Sequence, residues 1–383
     1  MSVRILTETP FDIAPDSTSA FRIYDVDDQY IQANATDSIQ KYDGDSFIGL
    51  KGDPPNGNIL AVYKYRLMVA GDTSFPHRIW YSHIRNGEGW SKDTDWIDVY
   101  PEDGGKINGL GIQDDELIIS KDNGRLYGWL IYEDGRPENS RLRMVEDDKG
   151  FVNQKSRTVM DNVLYYLDRE RIDSVPVLAR GGVSYIVQDV IDGIKNFDNT
   201  SMGSNDGKVY AALGDISIEI GDTIELDDAV LVYDTINQAF YLRDGINAKV
   251  FSKFVETDGQ EELYFGDTTG RVYKVNDGNL AGANPIHMRV RTKPYFRELG
   301  VNVDIKKVGI FMDDPDGTVV NYRTSLNQAF VKNLGVVTKE PVQWFDKQIS
   351  GPLLQLELTH SNTDSRPRLL AIEINYETRG KSE

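Results

Sequence analysis

The stretch from Gly104 to Leu130, GGKINGLGIQDDELIISKDNGRLYGWL, leaves this chain few choices of fold. Ile107, Leu110 and Ile112 form one short apolar segment, Asp114-Asp115 turns the chain, and Leu117-Ile118-Ile119 runs back. Asp122-Asn123-Gly124 turns it again into Arg125-Leu-Tyr-Gly-Trp-Leu130. The stretch reads as two strand pairs in under thirty residues. Asn and Gly accept the positive φ of a tight hairpin, and the flanking β-branched and aromatic residues suit pleated strands. No period of 3.6 runs through it, so a helix is not expected.

The unit returns. Asn162 to Asp168, Asp206 to Leu213, Ala229 to Asp234, Glu262 to Asp267, and upstream Gly71-Asp72 before Arg78-Ile-Trp-Tyr-Ser82, each join an apolar strand to an Asp-led turn. The marking residues Asp72, Asp122, Asp168, Asp206, Asp234 and Asp267 are 50, 46, 38, 28 and 33 residues apart. A propeller blade repeats at roughly 40–50 residues with four strands; the shorter gaps read as half-blades or trimmed ones. One hairpin cannot bury its apolar face alone, and radial stacking of such sheets solves that. The expectation is an all-β fold: a β-propeller of five to seven blades, some incomplete, with a large sandwich or a meandering barrel as the alternative.

Twenty tyrosines, 34 glycines and few helix-favouring runs agree with an all-β chain of 383 residues, long enough for two or three domains. Residues 1–20, polar and broken by proline, read as an N-terminal arm. The propeller is expected over residues 21–283. After the Gly/Asn/Pro-rich stretch Asp277 to Pro285 the texture becomes clean alternation, at Ile286, Met288, Val290, then Val308 to Phe311, Val319 to Tyr322, Leu353 to Leu358 and Leu369 to Tyr376. This predicts a C-terminal β-sandwich or jelly-roll-like domain over residues 284–378, with 379–383 a flexible tail. Gln188 to Asn196 is one of the few helical readings, kept short by Gly193.

The formal charge of −19 argues against nonspecific binding to nucleic acid, because phosphate backbones are repelled. The absence of cysteine excludes disulfides and thiol chemistry. No signal peptide is visible at the N-terminus, and no apolar run reaches the length of a membrane span. The four histidines, His77, His83, His287 and His360, have no metal-ligand spacing. Gly203 to Val209 resembles a phosphate loop but has three spacer residues and ends in Val209 where a magnesium-binding hydroxyl is needed. Asp313-Asp-Pro-Asp-Gly317 and Asp25-Val-Asp-Asp28 offer carboxylates for calcium without the twelve-residue spacing of a closed loop. Ser120-Lys-Asp-Asn-Gly-Arg-Leu-Tyr127 resembles the Asp box of sialidase-type propellers, with Leu126 and Tyr127 in the last two positions; in that family the box is a structural turn. No catalytic, cofactor-binding or metal-binding residue is therefore assigned, and no cofactor is expected.

The order of segments resembles the propeller-containing tail proteins of short-tailed bacteriophages, found as nozzle, tail-hub or head-completion rings. The resemblance is carried by Tyr65 to Gly71 with Arg78 to Ser82, Trp96 to Val99 with Asp103 to Leu110, Asp115 to Ile119 with Arg125 to Tyr127, then Phe151-Val152, Val163 to Tyr166 and Val230 to Asp234. It implies a non-enzymatic virion structural protein made in the host cytoplasm. It also implies a homo-oligomeric ring that docks portal or adaptor and tail fibre or tail tip proteins, with DNA only as passing cargo along an acidic lumen. Its axis is expected to be plugged or unremarkable. The alternatives are a carbohydrate-active β-propeller, glycosidase or lectin, with an axial pocket of Arg, Asp and Tyr from different blades, and a receptor-binding tail protein with Trp80, Trp90 or Trp96 on an outer rim.

Overall fold

The computed structural model describes residues 18–23, 29–33, 37–42, 46–132, 136–137, 139–178, 182–220, 222–255, 259–275, 280–281, 284–285, 288–295, 302–338, 340–361 and 367–378. The chain divides into two compact units, with a boundary after Val275; residues 219–224 and 243–246 group with the second.

The first unit is a β-propeller. Its sheets follow the chain: β1 (Thr18–Ile23), β2 (Gln29–Ala33), β3 (Gln40–Tyr42) and β4 (Phe47–Gly49), then β5 (Ile59–Tyr63), β6 (Arg66–Ala70), β7 (Arg78–Tyr81) and β8 (Trp96–Asp98). Next come β9 (Ile107–Gln113), β10 (Glu116–Lys121), β11 (Arg125–Ile131) and β12 (Ser140–Glu146), then the three-stranded β13 (Arg157–Met160), β14 (Val163–Leu167) and β15 (Ile172–Val175). The short helix α1 (Gln188–Asp192) precedes β16 (Ser201–Asn205), β17 (Lys208–Ile220), β18 (Asp222–Asp234) and β19 (Ala239–Arg243). A three-stranded sheet, β20 (Val250–Val255), β21 (Glu261–Gly266) and β22 (Val272–Lys274), ends the unit. Six blades are thus present among the described residues, two of them short of a strand. The first strands of successive blades, β1, β5, β9, β13, β16 and β20, pack one beside the next and are the innermost strands.

Blades sandwiched between neighbours must be apolar on both faces, and alternation supplies this. In β5 and β6, Leu60, Leu67 and Val69 join Ile31, Ile39 and Leu50 of the first blade. The intervening Ile59, Ala61, Met68 and Ala70 turn the other way, onto Leu110, Leu117, Tyr127 and Trp129 of the third. Ile118 and Leu126 complete the pattern against Phe151, Leu164 and Tyr166 of the fourth. The near-continuous apolar runs of the sequence are therefore strands with two buried sides.

The turns explain the uneven aspartate spacing. Asp72, Asp122, Asp168 and Asp267 stand between the second and third strands of their blades, whereas Asp206 follows the first strand and Asp234 ends the third strand of the blade made by β16–β19. Gly124 closes the β10–β11 turn at φ 77°, and its N–H donates to Lys121 O at 3.1 Å. Trp80 is buried in the core between the first two blades, against the outer-rim place that the receptor-binding alternative would give it; Trp90 and Trp96 pack against the same cluster, and the Arg78 guanidinium lies 3.5 Å over the Trp96 ring.

The second unit holds a two-residue pair, β23 (Leu280–Ala281) and β24 (Asn284–Pro285), and a β-sandwich. The sandwich strands are β25 (Met288–Arg291), β26 (Val303–Asp313), β27 (Thr318–Arg323), β28 (Lys332–Val337), β29 (Val342–Gly351), β30 (Gln355–His360) and β31 (Arg368–Thr378). One sheet has the order β25-β30-β27-β28, the other β29-β26-β31. Val308, Ile310 and Met312 of one sheet meet Val320, Leu356 and Leu358 of the other in the core.

Candidate functional site

In an antiparallel blade the first strand starts, the second ends and the third starts at the same end of the sheet. At that end of the propeller the connections gather around a cleft of about 600 Å³. Asn58, Lys106, Asn108, Asn153, Gln154, Lys155 and Asp198 come from the starts of the innermost strands or the segments leading into them, and Asp72 and Asp122 from turns between second and third strands.

Each wall is held by hydrogen bonds that cross from one blade to the next. Asn108 Nδ2 donates to Phe151 O at 2.7 Å, and Leu110 N–H donates to Gln154 Oε1 at 2.7 Å, so two amides stitch the third blade to the fourth. Asn153 Oδ1 accepts from the N–H groups of Lys155 and Ser156, while its Nδ2 donates to Thr200 O at 3.3 Å. His77 Nδ1 meets Gly105 O at 2.7 Å and links the second blade to the third. Asp122 Oδ1 accepts from Lys106 N–H at 2.7 Å.

Beneath Lys106 lies a buried ionic knot. Lys121 Nζ donates to Asp103 Oδ1 at 2.5 Å and to Tyr100 O at 2.9 Å, and Tyr127 Oη donates to Asp103 Oδ2 at 2.5 Å. Burial works to raise the Asp103 pKa, but the bonds from Lys121, Tyr127 and Gly105 N–H outweigh it and hold the carboxyl below the usual range. The same bond, added to burial, pushes Tyr127 upward. The knot pins the turn that carries Lys106.

Two polar atoms in this wall have no partner. Gln154 is only 6% exposed, and its Nε2 is buried with nothing to donate to; Asn108 Oδ1 is buried with nothing to accept from. The two residues come from adjacent blades and line the same cleft. An unmet donor and an unmet acceptor, on two residues that line one cleft, are each of a kind that a hydroxyl can satisfy, since it accepts and donates at once. Two residues along the chain from Lys155, Arg157 Nε is also buried without a partner, and burial pulls the guanidinium down to about 10.

The remaining sequence candidates take structural places. Ser120 Oγ accepts from Phe151 N–H at 2.8 Å, so the segment that resembles an Asp box is a turn that grips the next blade. Gly203 to Val209 is the hairpin joining β16 to β17. Among the described residues no group of three or more His, Asp or Glu side chains could hold a metal; Asp313 to Gly317 link β26 to β27, and Asp25 to Asp28 and His287 lie outside the described residues. Among the described residues no helix is long and apolar enough to cross a membrane.

The amides of the cleft escape sequence reading because Asn and Gln are common turn residues. A signal does exist. Asn58, Asn108, Asn153, Asn199 and Asn247 fall 50, 45, 46 and 48 residues apart, the blade period, each at or just before the first strand of its blade.

Fold and cleft together define an all-β protein with a propeller unit that carries a polar axial cleft and a separate sandwich unit. No protein-family model matches the sequence, and no curated protein does. Among solved structures, the chain is similar to the computationally designed protein Ika8, at 11% identity and TM-score 0.39 over 66% of this chain and 69% of that one. It is similar to the exo-β-1,3-galactanase of Phanerochaete chrysosporium, at 7% identity and TM-score 0.31 over 94% and 96%. A glycoside hydrolase family 43 arabinoxylan arabinofuranohydrolase of Bacillus subtilis follows at 9% identity and TM-score 0.21 over 91% and 88%.

The expected role as a non-enzymatic ring component of a phage tail is corrected by the cleft. It required a plugged or unremarkable axis, and the end of the propeller where the innermost strands start carries an open polar cleft instead. The lining also departs from the axial pocket expected of a carbohydrate-active propeller. Asp is present, but amides and lysines stand where Arg and Tyr were expected.

Proposed function

We propose that the propeller is a carbohydrate-binding unit whose axial cleft holds a neutral saccharide. One observation carries this reading: Gln154 and Asn108, each with a buried polar atom that has no partner, line one cleft. A buried polar group without a partner costs about 1–3 kcal/mol, and a ligand hydroxyl that pairs with both atoms recovers that energy on binding. The other groups around the cleft, Asn58, Asp72, Lys106, Asp122 and Asp198, mix both charges with neutral amides, as a polyol requires and a single ion does not. The net charge of −19 favours an uncharged sugar over an anionic one.

Gln154→Glu tests the proposal. It preserves an acceptor for Leu110 N–H and replaces the amide donor by a carboxylate oxygen. Titration of the full chain with neutral mono- and oligosaccharides, followed by NMR of the side-chain amides, is expected to shift the Gln154 and Asn108 signals. The variant is expected to bind roughly 5- to 100-fold more weakly, the equivalent of the cost above. A sugar that binds wild type and Gln154→Glu equally well would sink the reading.

Hydrolysis by the same cleft is the second reading, favoured by the carboxylates Asp72, Asp122 and Asp198 on its rim. Glycoside cleavage commonly uses two carboxyls facing the bond. Asp72 accepts from Ser74 N–H at 2.8 Å and Asp122 from Lys106 N–H, so both already hold turns. Release of reducing ends from the sugars that bind, abolished by Asp198→Asn, would favour hydrolysis.

A further inference from the structure

We infer that the sandwich unit carries a second saccharide contact, a flat aromatic platform made by Trp344 lying across Gly309. This rests on the carbohydrate reading above and extends it to a surface in a different unit.

In the register of the second sandwich sheet, Gly309 of β26 stands opposite Trp344 of β29 on one side and Glu373 of β31 on the other. Residues paired in this way project from the same face. Val308, Ile310 and Met312 fill the core, so the face holding Gly309 points away from it. A Cβ at position 309 would come within 2.9 Å of Trp344 Cη2 and Cζ3. The six-membered ring of the indole therefore rests on the strand where only a glycine leaves room for it.

Phe311, two residues along the same face, braces Trp344 edge-on, with ring centroids 6.3 Å apart at 77°. Trp344 is 37% exposed, high for a side chain that lies down on its own sheet. Its register holds it on the outward face, where more than a third of its area stays open with the ring against the strand.

Polar groups flank the ring. Lys307 and Asp346, paired at 2.9 Å, occupy the next row of the same face together with Asn375. Glu373 is exposed on the far side of Gly309. The C–H face of a pyranose packs on such a ring while its hydroxyls reach the carboxylates and amide around it. The acidic flank again favours an uncharged sugar. A flat platform, unlike a cleft, accepts the middle of a long chain, so the fitting ligand is a neutral polysaccharide.

Affinity electrophoresis of the full chain in gels containing xylan, mixed-linkage glucan, galactan or mannan tests this, with Trp344→Ala, Trp344→Phe and Gln154→Glu beside wild type and circular dichroism to verify folding. Wild type and Trp344→Phe are expected to be retarded by at least one polymer. Trp344→Ala is expected to lose at least fivefold in that retardation, and Gln154→Glu to keep most of it. Equal retardation of Trp344→Ala and wild type would overturn the platform, as would no retardation of wild type in any gel; in both cases the cleft still stands or falls by its own titration with small sugars. A wild-type dimer that Trp344→Ala converts to a monomer in sedimentation would overturn it in favour of self-association.

Discussion

Lys121, with no part of its side chain exposed, places its ammonium 2.5 Å from a carboxylate oxygen of Asp103 across the connection between the second and third blades. Removing one partner of such a pair leaves an uncompensated buried charge, which costs about 3–5 kcal/mol. Lys121→Met is therefore expected to lower the unfolding free energy by about that amount in a urea titration. Asp103→Asn is expected to fall in the same direction and to loosen the turn carrying Lys106, visible as faster amide exchange there.

The same carboxyl gives an acid limit. The folded pKa of Asp103 lies below its unfolded value, so its stabilisation is present above the ordinary aspartate pKa of about 3.9 and is lost as pH falls through the lower, folded one. Wild type is expected to lose stability across that acid window, and Asp103→Asn to show a shallower loss there. Chemical denaturation at a series of pH values below 5 measures the difference.

Tyr63 sets an alkaline limit. Its hydroxyl donates to Trp129 O at 3.0 Å or Asp115 O at 2.7 Å and accepts from Ile131 N–H at 3.1 Å. Burial pushes its pKa up to about 12, and Tyr165 likewise up to about 12. A raised folded pKa contributes stability that is complete below the unfolded value of about 10 and disappears as pH climbs through the folded one. The propeller is expected to weaken between about pH 10 and 12, with tyrosinate absorbance at 295 nm lagging in the folded protein and jumping on unfolding. Tyr63→Phe, which strands the Ile131 N–H, is expected to cost about 1–3 kcal/mol at neutral pH.

Gly203 marks where the fifth and sixth blades meet. A Cβ there would lie 2.5 Å from Phe251 Cβ and 3.1 Å from Leu263 Cδ1. Gly203→Ala is expected to destabilise by about 1–3 kcal/mol through overpacking. Combined with Phe251→Gly it is expected to cost less than the sum of the two changes, because the second removes the Cβ and ring that clash. Thermal melts of the four proteins complete the cycle.

The first three strands of the third blade and the turns between them were legible down to single residues. Asp114 turns the chain at φ 49° and Gly124 at φ 77°, with β9, β10 and β11 where the apolar segments lie. These features are local: strand alternation and turn chemistry act within a few residues. Five of the seven described sandwich strands were legible for the same reason, whereas β28 and β29 were not. The cleft was not, because Asn108 and Gln154 are held by hydrogen bonds to the neighbouring blade, 43 and 44 positions away along the chain. The aspartate series misled in part for a related reason: Asp206 and Asp234 lead turns like the others but belong to different corners of one blade.

By itself the sequence determined that this chain makes short antiparallel strands, that many of them are apolar on both sides, and that they recur at a blade's spacing. Alternation and turn residues encode those properties directly. Only the tertiary structure decided which ends of the blades converge, that Asn58, Asn108 and Asn153 of three successive repeats arrive at one cleft, and that Trp344 lies on a glycine three dozen residues upstream. Those outcomes depend on the packing of whole sheets against one another, a relation that no short segment of sequence contains.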